Sequence, residues 1–389
     1  MSSSRKIASF LLLPLTIWYA VGVALRNIFF EMGILKQETP HITTIGVGNL
    51  STGGTGKTPH VEYLLRLLGS QYRTVYLSRG YRRKSKGFVK ADGNPDPLRL
   101  GDEAAMIARK FPHVDTVVCE KRMRAIRRLM EPPQPVPAED ASTAAEPAEP
   151  VAVADTTPEL IVMDDVYQHR FVKPTLNILL TEFNRPYYND LILPYGNLRE
   201  FRKARFRANI IIVTKCPAKL NPIDRHNITN SLGVLPYQKV FFSYFEYGRP
   251  KAVYGDGEAD LNAARQILLF TGIARPEPLL RYVKQGRTMV PMLFGDHHEY
   301  TASDLRKITE RFAKLNSENK MLLTTEKDAA RLQTPQARQM LEGLPLYYIP
   351  VEVKFHDTVE YNFNSTILST VKENISFLDK LKTSKLANY

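Results

Sequence analysis

The stretch GNLSTGGTGKT at residues 48–58 follows an apolar strand-like run, HITTIGVGN, and opens a helical pattern, TPHVEYLLRLLGS. A strand, a glycine-rich loop, Lys-Thr and a helix in that order form the context of a phosphate-binding P-loop. Glycines let consecutive backbone N–H groups turn onto phosphate oxygens, and the helix N-terminus adds partial positive charge. Ser51, Thr52, Gly53, Gly54, Thr55, Gly56, Lys57 and Thr58 are therefore expected to bind a nucleotide such as ATP. Lys57 would reach its β- and γ-phosphates, and the Thr58 hydroxyl would ligate Mg²⁺. The strict pattern asks for Gly where Ser51 stands, a mild departure because Gly53, Gly54 and Gly56 still supply the flexible positions.

The companion feature is ELIVMDD, a buried-strand pattern ending in Asp164 and Asp165. Beside a P-loop, such carboxylates hold Mg²⁺ directly or through water. Strand-like runs such as RTVYLSRG and VDTVVC alternate with helical ones such as DEAAMIARKF and EKRMRAIRRLM. This order predicts an α/β fold of the P-loop NTPase type, a doubly wound, mostly parallel sheet. The P-loop domain is expected over residues 31–215, a second, smaller α/β unit over 216–350, and a C-terminal strand and helix over 351–389. Residues 131–158 are rich in Pro, Ala and acidic side chains and read as a mobile insert in the first domain.

Residues 1–30 carry an uncharged run from Ile7 to Leu25, flanked by Arg5, Lys6 and Arg26. As a helix it would be roughly 28 Å long, close to the hydrocarbon thickness of a bilayer. It is expected to anchor the chain at a membrane, spanning it or lying in the interface, with Trp18 and Tyr19 as interface anchors. Lys plus Arg number 53 against 40 Asp plus Glu, a net charge of +13 that favours polyanionic partners. No zinc-finger spacing, RNP motif or basic heptad region supports nucleic acid as that partner. The two cysteines, Cys119 and Cys216, end apolar runs and read as buried thiols. The basic run Arg82, Arg83, Lys84 and Lys86 suits a lipid headgroup or a solvated loop. The sequence Thr325-Glu326-Lys327-Asp328 suits a contact with a nucleotide base.

Taken in order, GNLSTGGTGKTP, SRGY, GDEA (101–104), MDDVYQH, LPYGNLRE, FTGIARP, FGDHHEY and TEKDAARL resemble the tetraacyldisaccharide 4′-kinase family of lipid A biosynthesis. The resemblance runs over most of the chain. The departures are Val166 and Tyr167 where Gly and Phe are usual, Ala104 where Pro is frequent, and the acidic insert. It implies transfer of the ATP γ-phosphate to the 4′-hydroxyl of an acylated glucosamine disaccharide 1-phosphate. The place implied is the cytoplasmic face of the inner membrane of a Gram-negative bacterium. It further implies Asp102 as the catalytic base, His297 as its partner, and Arg199 as a nucleotide or phosphate contact. Glu103, Asp165 and Asp164 join Thr58 as the implied Mg²⁺ set. The competing readings are a membrane-associated P-loop ATPase or GTPase switch, for which an N-K-x-D motif is lacking, and a nucleotide-binding protein without chemistry.

Overall fold

The computed structural model describes residues 3–131, 157–296, 298–357 and 362–386. The acidic insert lies almost wholly outside these residues, and so does His297. The chain starts with helix α1 (Ser3–Glu31). It continues with β1 (Thr43–Asn49), α2 (Lys57–Leu68), β2 (Thr74–Ser78), β3 (Val89–Lys90), α3 (Pro97–Leu100) and α4 (Asp102–Lys110). Then come β4 (Asp115–Val118), α5 (Arg122–Met130), β5 (Leu160–Met163), β6 (Leu176–Glu182) and β7 (Ile210–Thr214). Helix α6 (Pro222–Leu232) leads to β8 (Lys239–Tyr247). A second run holds β9 (Lys251–Ala252), β10 (Gln266–Thr271), α7 (Glu277–Lys284), β11 (Thr288–Leu293), α8 (Ala302–Ala313) and β12 (Lys320–Thr325). After it come α9 (Glu326–Arg331), α10 (Pro335–Leu341), β13 (Leu346–Ile349), β14 (Val351–Phe355) and α11 (Phe363–Leu386).

A nine-stranded sheet has the order β14-β8-β7-β6-β1-β5-β2-β4-β3. Its strands from β8 to β4 are parallel, and an antiparallel strand closes each edge. β1, β2, β5, β6 and β7 are buried along their whole length. Helices cover both faces of a parallel sheet, which is why these strands read as continuous apolar runs. The second sheet, β11-β10-β12-β13-β9, is parallel except for β9.

The sheets divide the chain differently from the boundaries read in the sequence. β8 lies beyond Cys216 yet pairs with β7, so the first sheet extends to Tyr247. The C-terminal strand and helix also return to it: β14 pairs with β8, and Phe363, Ile367 and Val371 of α11 enter the core beneath β1. Hydrophobic periodicity identifies a strand but carries no information on which sheet receives it. Both cysteines are buried and free, as expected.

β1 has Gly48 for a steric reason. A Cβ there would stand 2.5 Å from the Cβ of Tyr167, because the segment after β5 folds tightly across the strand. That contact brings the carboxylates following β5 close to the phosphate loop.

From Leu12 to Glu31, α1 is long and apolar enough to cross a membrane, and almost none of it is buried. Trp18, Ile17 and Leu15 are exposed. Its later turns dock on the first unit. The Tyr19 hydroxyl donates to the Arg199 carbonyl at 3.0 Å, Arg26 donates to the Gln168 carbonyl at 2.5 Å, and Arg170 donates to Asn27 Oδ1 at 2.9 Å.

Candidate active site

The loop leaves β1 at Asn49 and enters α2 through Gly56, whose φ of 88° is a left-handed conformation suited to glycine. A Cβ on Gly56 would also meet the ring of Phe245 at 2.8 Å. Ser51 needs no such freedom. It bridges to Leu198, is buried, and is not among the residues with positive φ, so the missing Gly costs the loop nothing.

Asn49 ties the loop together, and sequence reasoning missed it. Its Nδ2 donates to the Ser51 carbonyl and to Thr55 Oγ1, both at 2.8 Å. Its Oδ1 accepts from Lys57 Nζ at 3.3 Å and from Arg199 Nη2. Arg199 also grips Asp165 with both Nη atoms, at 3.2 and 2.9 Å, and Lys57 Nζ lies 3.6 Å from the same carboxylate. The expected site residues Lys57, Asp165 and Arg199 thus form one hydrogen-bonded group. Desolvation opposes ionisation of Asp165, but the charges of Lys57 and Arg199 outweigh it and hold the carboxyl well below its usual range.

Asp164 behaves oppositely. It is buried, accepts from the Asp165 backbone N–H at 2.7 Å and from the Tyr76 hydroxyl at 3.3 Å, and feels the charge of Glu103. Burial first, and then Glu103, raise its carboxyl well above the usual range. Arg122, at the first position of α5, is buried beneath the pair and donates to the Asp164 carbonyl at 3.2 Å. Only its place at the start of a helix next to this turn distinguishes it from the other basic residues of α5.

Raised proton affinity has a consequence for stability. Between the ordinary value of 3.8 and the raised one, the folded chain holds a proton that the unfolded chain has released. This group therefore costs stability as pH rises through that window. Asp164→Asn should raise the melting midpoint of the nucleotide-free protein at pH 8, by about 2–4 °C for each kcal/mol of relief, and the gain should vanish near pH 3. Thermal scans at the two pH values check this; a gain that does not depend on pH would contradict it.

Asp102 and Glu103 begin α4. Both reach the second unit. Arg331 Nε donates to Asp102 Oδ2 at 3.2 Å, and Lys327 Nζ donates to Glu103 Oε1 at 2.7 Å. Lower on α4, Lys110 meets Glu326 at 2.8 Å. The TEKDAARL segment is therefore a charged strip laid against α4. Thr325, Glu326 and Lys327 also line the cavity between the units, whereas Asp328 does not. Asp328 is fully buried and accepts from Thr271 Oγ1 at 2.6 Å, Gly272 N at 3.1 Å and Thr325 Oγ1 at 2.7 Å, so its carboxylate faces inward. The basic run is corrected in part. Arg83 is turned in, with its side chain 3% exposed, and meets Glu120 at 2.5 Å, so it holds its loop and does not face a headgroup.

Two cavities meet at the loop and share Gly53, Lys57 and Glu103. One, of about 350 Å³, lies between the units and reaches past Thr58 to the apolar side chains of Phe245, Tyr247, Leu279 and Val351. That lining suits a planar base with its phosphates on the loop. The other, of about 630 Å³, is polar and holds Asp164, Asp165, Arg79, Arg122 and, from α1, Arg26. Among the described residues no cluster of three or more His, Cys, Asp or Glu side chains is arranged to hold a metal by itself. A cation in such a site takes phosphate and water oxygens as well as protein ones. The raised Asp164 carboxyl beside Glu103 fits this, since a divalent cation would relieve the repulsion between them.

Comparison with known proteins decides which of the competing readings holds. A family model described as tetraacyldisaccharide-1-P 4′-kinase matches residues 8–371. The chain belongs to this kinase family. A tetraacyldisaccharide 4′-kinase of Bacteroides fragilis is 40% identical over 373 residues, covering 93% of each chain. That of Flavobacterium johnsoniae is 38% identical over 379 residues, covering 96% of this chain and 99% of its own. The crystal structure of the Aquifex aeolicus enzyme LpxK, an "apo" form in complex with ATP, aligns with a TM-score of 0.66 at 25% identity. It covers 95% of this chain and 99% of that one. The α/β fold and the kinase assignment expected from the sequence therefore hold for this member of the 4′-kinase family.

Proposed function

We propose that the chain transfers the γ-phosphate of ATP to the 4′-hydroxyl of a tetraacyldisaccharide 1-phosphate, forming lipid IVA for lipid A. The single observation that carries this reading is the meeting of two cavities at Gly53, Lys57 and Glu103. ATP enters between the units and lays its phosphates on residues 51–58. The acceptor approaches from the polar cavity, whose wall includes Arg26 of the exposed apolar helix α1. A lipid held in the bilayer reaches that cavity along α1, which supports a place at the cytoplasmic face of the inner membrane.

Thr58, Glu103, Asp164 and Asp165 would hold Mg²⁺, which when bound neutralises charge on the β- and γ-phosphates. Lys57 and the loop N–H groups bind the phosphates and orient the γ-phosphorus towards the second cavity. Asp102, with His297 as its partner, takes the proton of the 4′-hydroxyl. Arg199 keeps Asp165 ionised and Asn49 in place, so its contribution to nucleotide binding runs through them. The test is incubation with γ-labelled ATP, Mg²⁺ and the disaccharide lipid in detergent. Label on the lipid is expected; label released only as free phosphate would overturn the reading.

A further inference from the structure

The FTGIARP segment joins β10 to α7 in the second unit, and its arginine stands apart from the group formed by Lys57, Asp165 and Arg199. Arg275 of this segment crosses to the outer side of the phosphate loop. A Cβ built on Gly53 would lie 3.7 Å from Arg275 Nε and 3.9 Å from Arg185 Nη2. Arg275 also lines the cavity between the units.

What holds these cations there is Glu182, a buried carboxylate at the end of β6. It pairs with Lys215 at 2.6 Å, Arg275 at 3.3 Å and Arg185 at 3.7 Å. Two of the three also fix the loop from behind. Arg185 donates to the Thr52 carbonyl at 3.0 Å, and Lys215 donates to the Gly54 carbonyl. With those carbonyls drawn outward, the N–H groups between them are left to face a ligand. One carboxylate against three cations leaves an excess of two positive charges beside the loop, on side chains that are only partly exposed. An arrangement of this kind suits a polyphosphate. Arg275 is the member supplied by the opposite unit.

We propose that Arg275 is a phosphate-contacting residue, which reaches the γ-phosphoryl group of the bound nucleotide across Gly53 and is aimed by Glu182. This rests on the ATP-kinase reading above. In the step it serves, the bond from the 4′-oxygen to the γ-phosphorus forms as the bond to the β–γ bridging oxygen breaks. ADP leaves with that electron pair, and the hydroxyl proton passes to Asp102. Arg275 supplies charge to the equatorial oxygens of the transferring group, where negative charge must be held throughout. Glu182 acts as a positioning residue.

Affinity for ADP and for a non-hydrolysable ATP analogue, measured by calorimetry beside lipid phosphorylation and melting midpoint, tests the proposal. Arg275→Ala should lower kcat by about 10²–10³ and weaken the ATP analogue about tenfold, while ADP affinity changes by less than about twofold. Arg275→Lys should recover part of both losses, because it keeps the charge and loses the planar fork. Glu182→Gln should reduce the ATP-to-ADP affinity ratio, and the double variant Glu182→Gln with Arg275→Ala should go no lower than Arg275→Ala alone. Full turnover in Arg275→Ala, or equal loss of ADP and ATP affinity, overturns the proposal while leaving the kinase reading intact. A wild-type chain that binds neither nucleotide overturns both.

Discussion

Replacing Asp102 with Asn should lower lipid phosphorylation by about 10²–10⁴ in kcat, the range that a positioned general base contributes. Asn is the informative substitution because its side-chain oxygen still accepts the Arg331 Nε–H that Asp102 accepts at 3.2 Å. Ala would leave Arg331, whose side chain is 6% exposed, without that acceptor, and so would mix a folding defect with a chemical one. With Asn, ATP affinity and melting midpoint should stay near those of the parent while turnover collapses. Initial rates at saturating ATP and lipid, with calorimetry for ATP, separate these quantities. Turnover that survives in Asp102→Asn would remove this residue from the chemistry and leave it the role of pairing α4 with α9.

Lys57→Ala should act on the other substrate. Lys57 is the loop's cationic side chain, 3.3 Å from Asn49 Oδ1 and 3.6 Å from Asp165. Removing it should lower kcat/KM for ATP by about 10²–10³, the usual effect of losing one charged donor to a developing oxyanion. The substitution also reaches Asp165. Asp165 would keep Arg199 and the more distant Arg122 as cationic neighbours, and its carboxyl would move back up towards its usual range. A carboxyl in that range stays ionised at both pH 6 and pH 8, so the defect should be the same at the two values. A defect that grows between pH 8 and pH 6 would mean that Asp165 takes up a proton in the variant. The acceptor KM, measured at saturating ATP, should change little.

Much of the nucleotide site could be read along the chain because its parts are contiguous. A P-loop is built by successive backbone N–H groups, so the glycines, Lys57 and Thr58 must sit close in sequence. The pair Asp164 and Asp165 was equally plain, since a buried parallel strand brings its last residues to the sheet edge where ligands bind. The strand pattern also gave the α/β class. It failed on which sheet receives β8 and β14, because periodicity records burial and has no term for a neighbour. The linking of Asp102 to His297 came from family resemblance alone, and His297 falls outside the described residues.

The P-loop's own order, from strand through glycines to Lys57, was determined by the sequence, because local hydrogen bonding decides it. Tertiary structure decided what surrounds it. Asn49 looked like an ordinary strand end until the fold brought Arg199 to it from 150 positions away. Arg331 meets Asp102 across 229 positions, and Glu182 gathers Lys215 from just past the neighbouring strand β7 and Arg275 from the other unit. Each is a polar or charged group that many other partners could satisfy. Which partner it receives depends on where distant segments return, a property of the packed chain that no local pattern encodes.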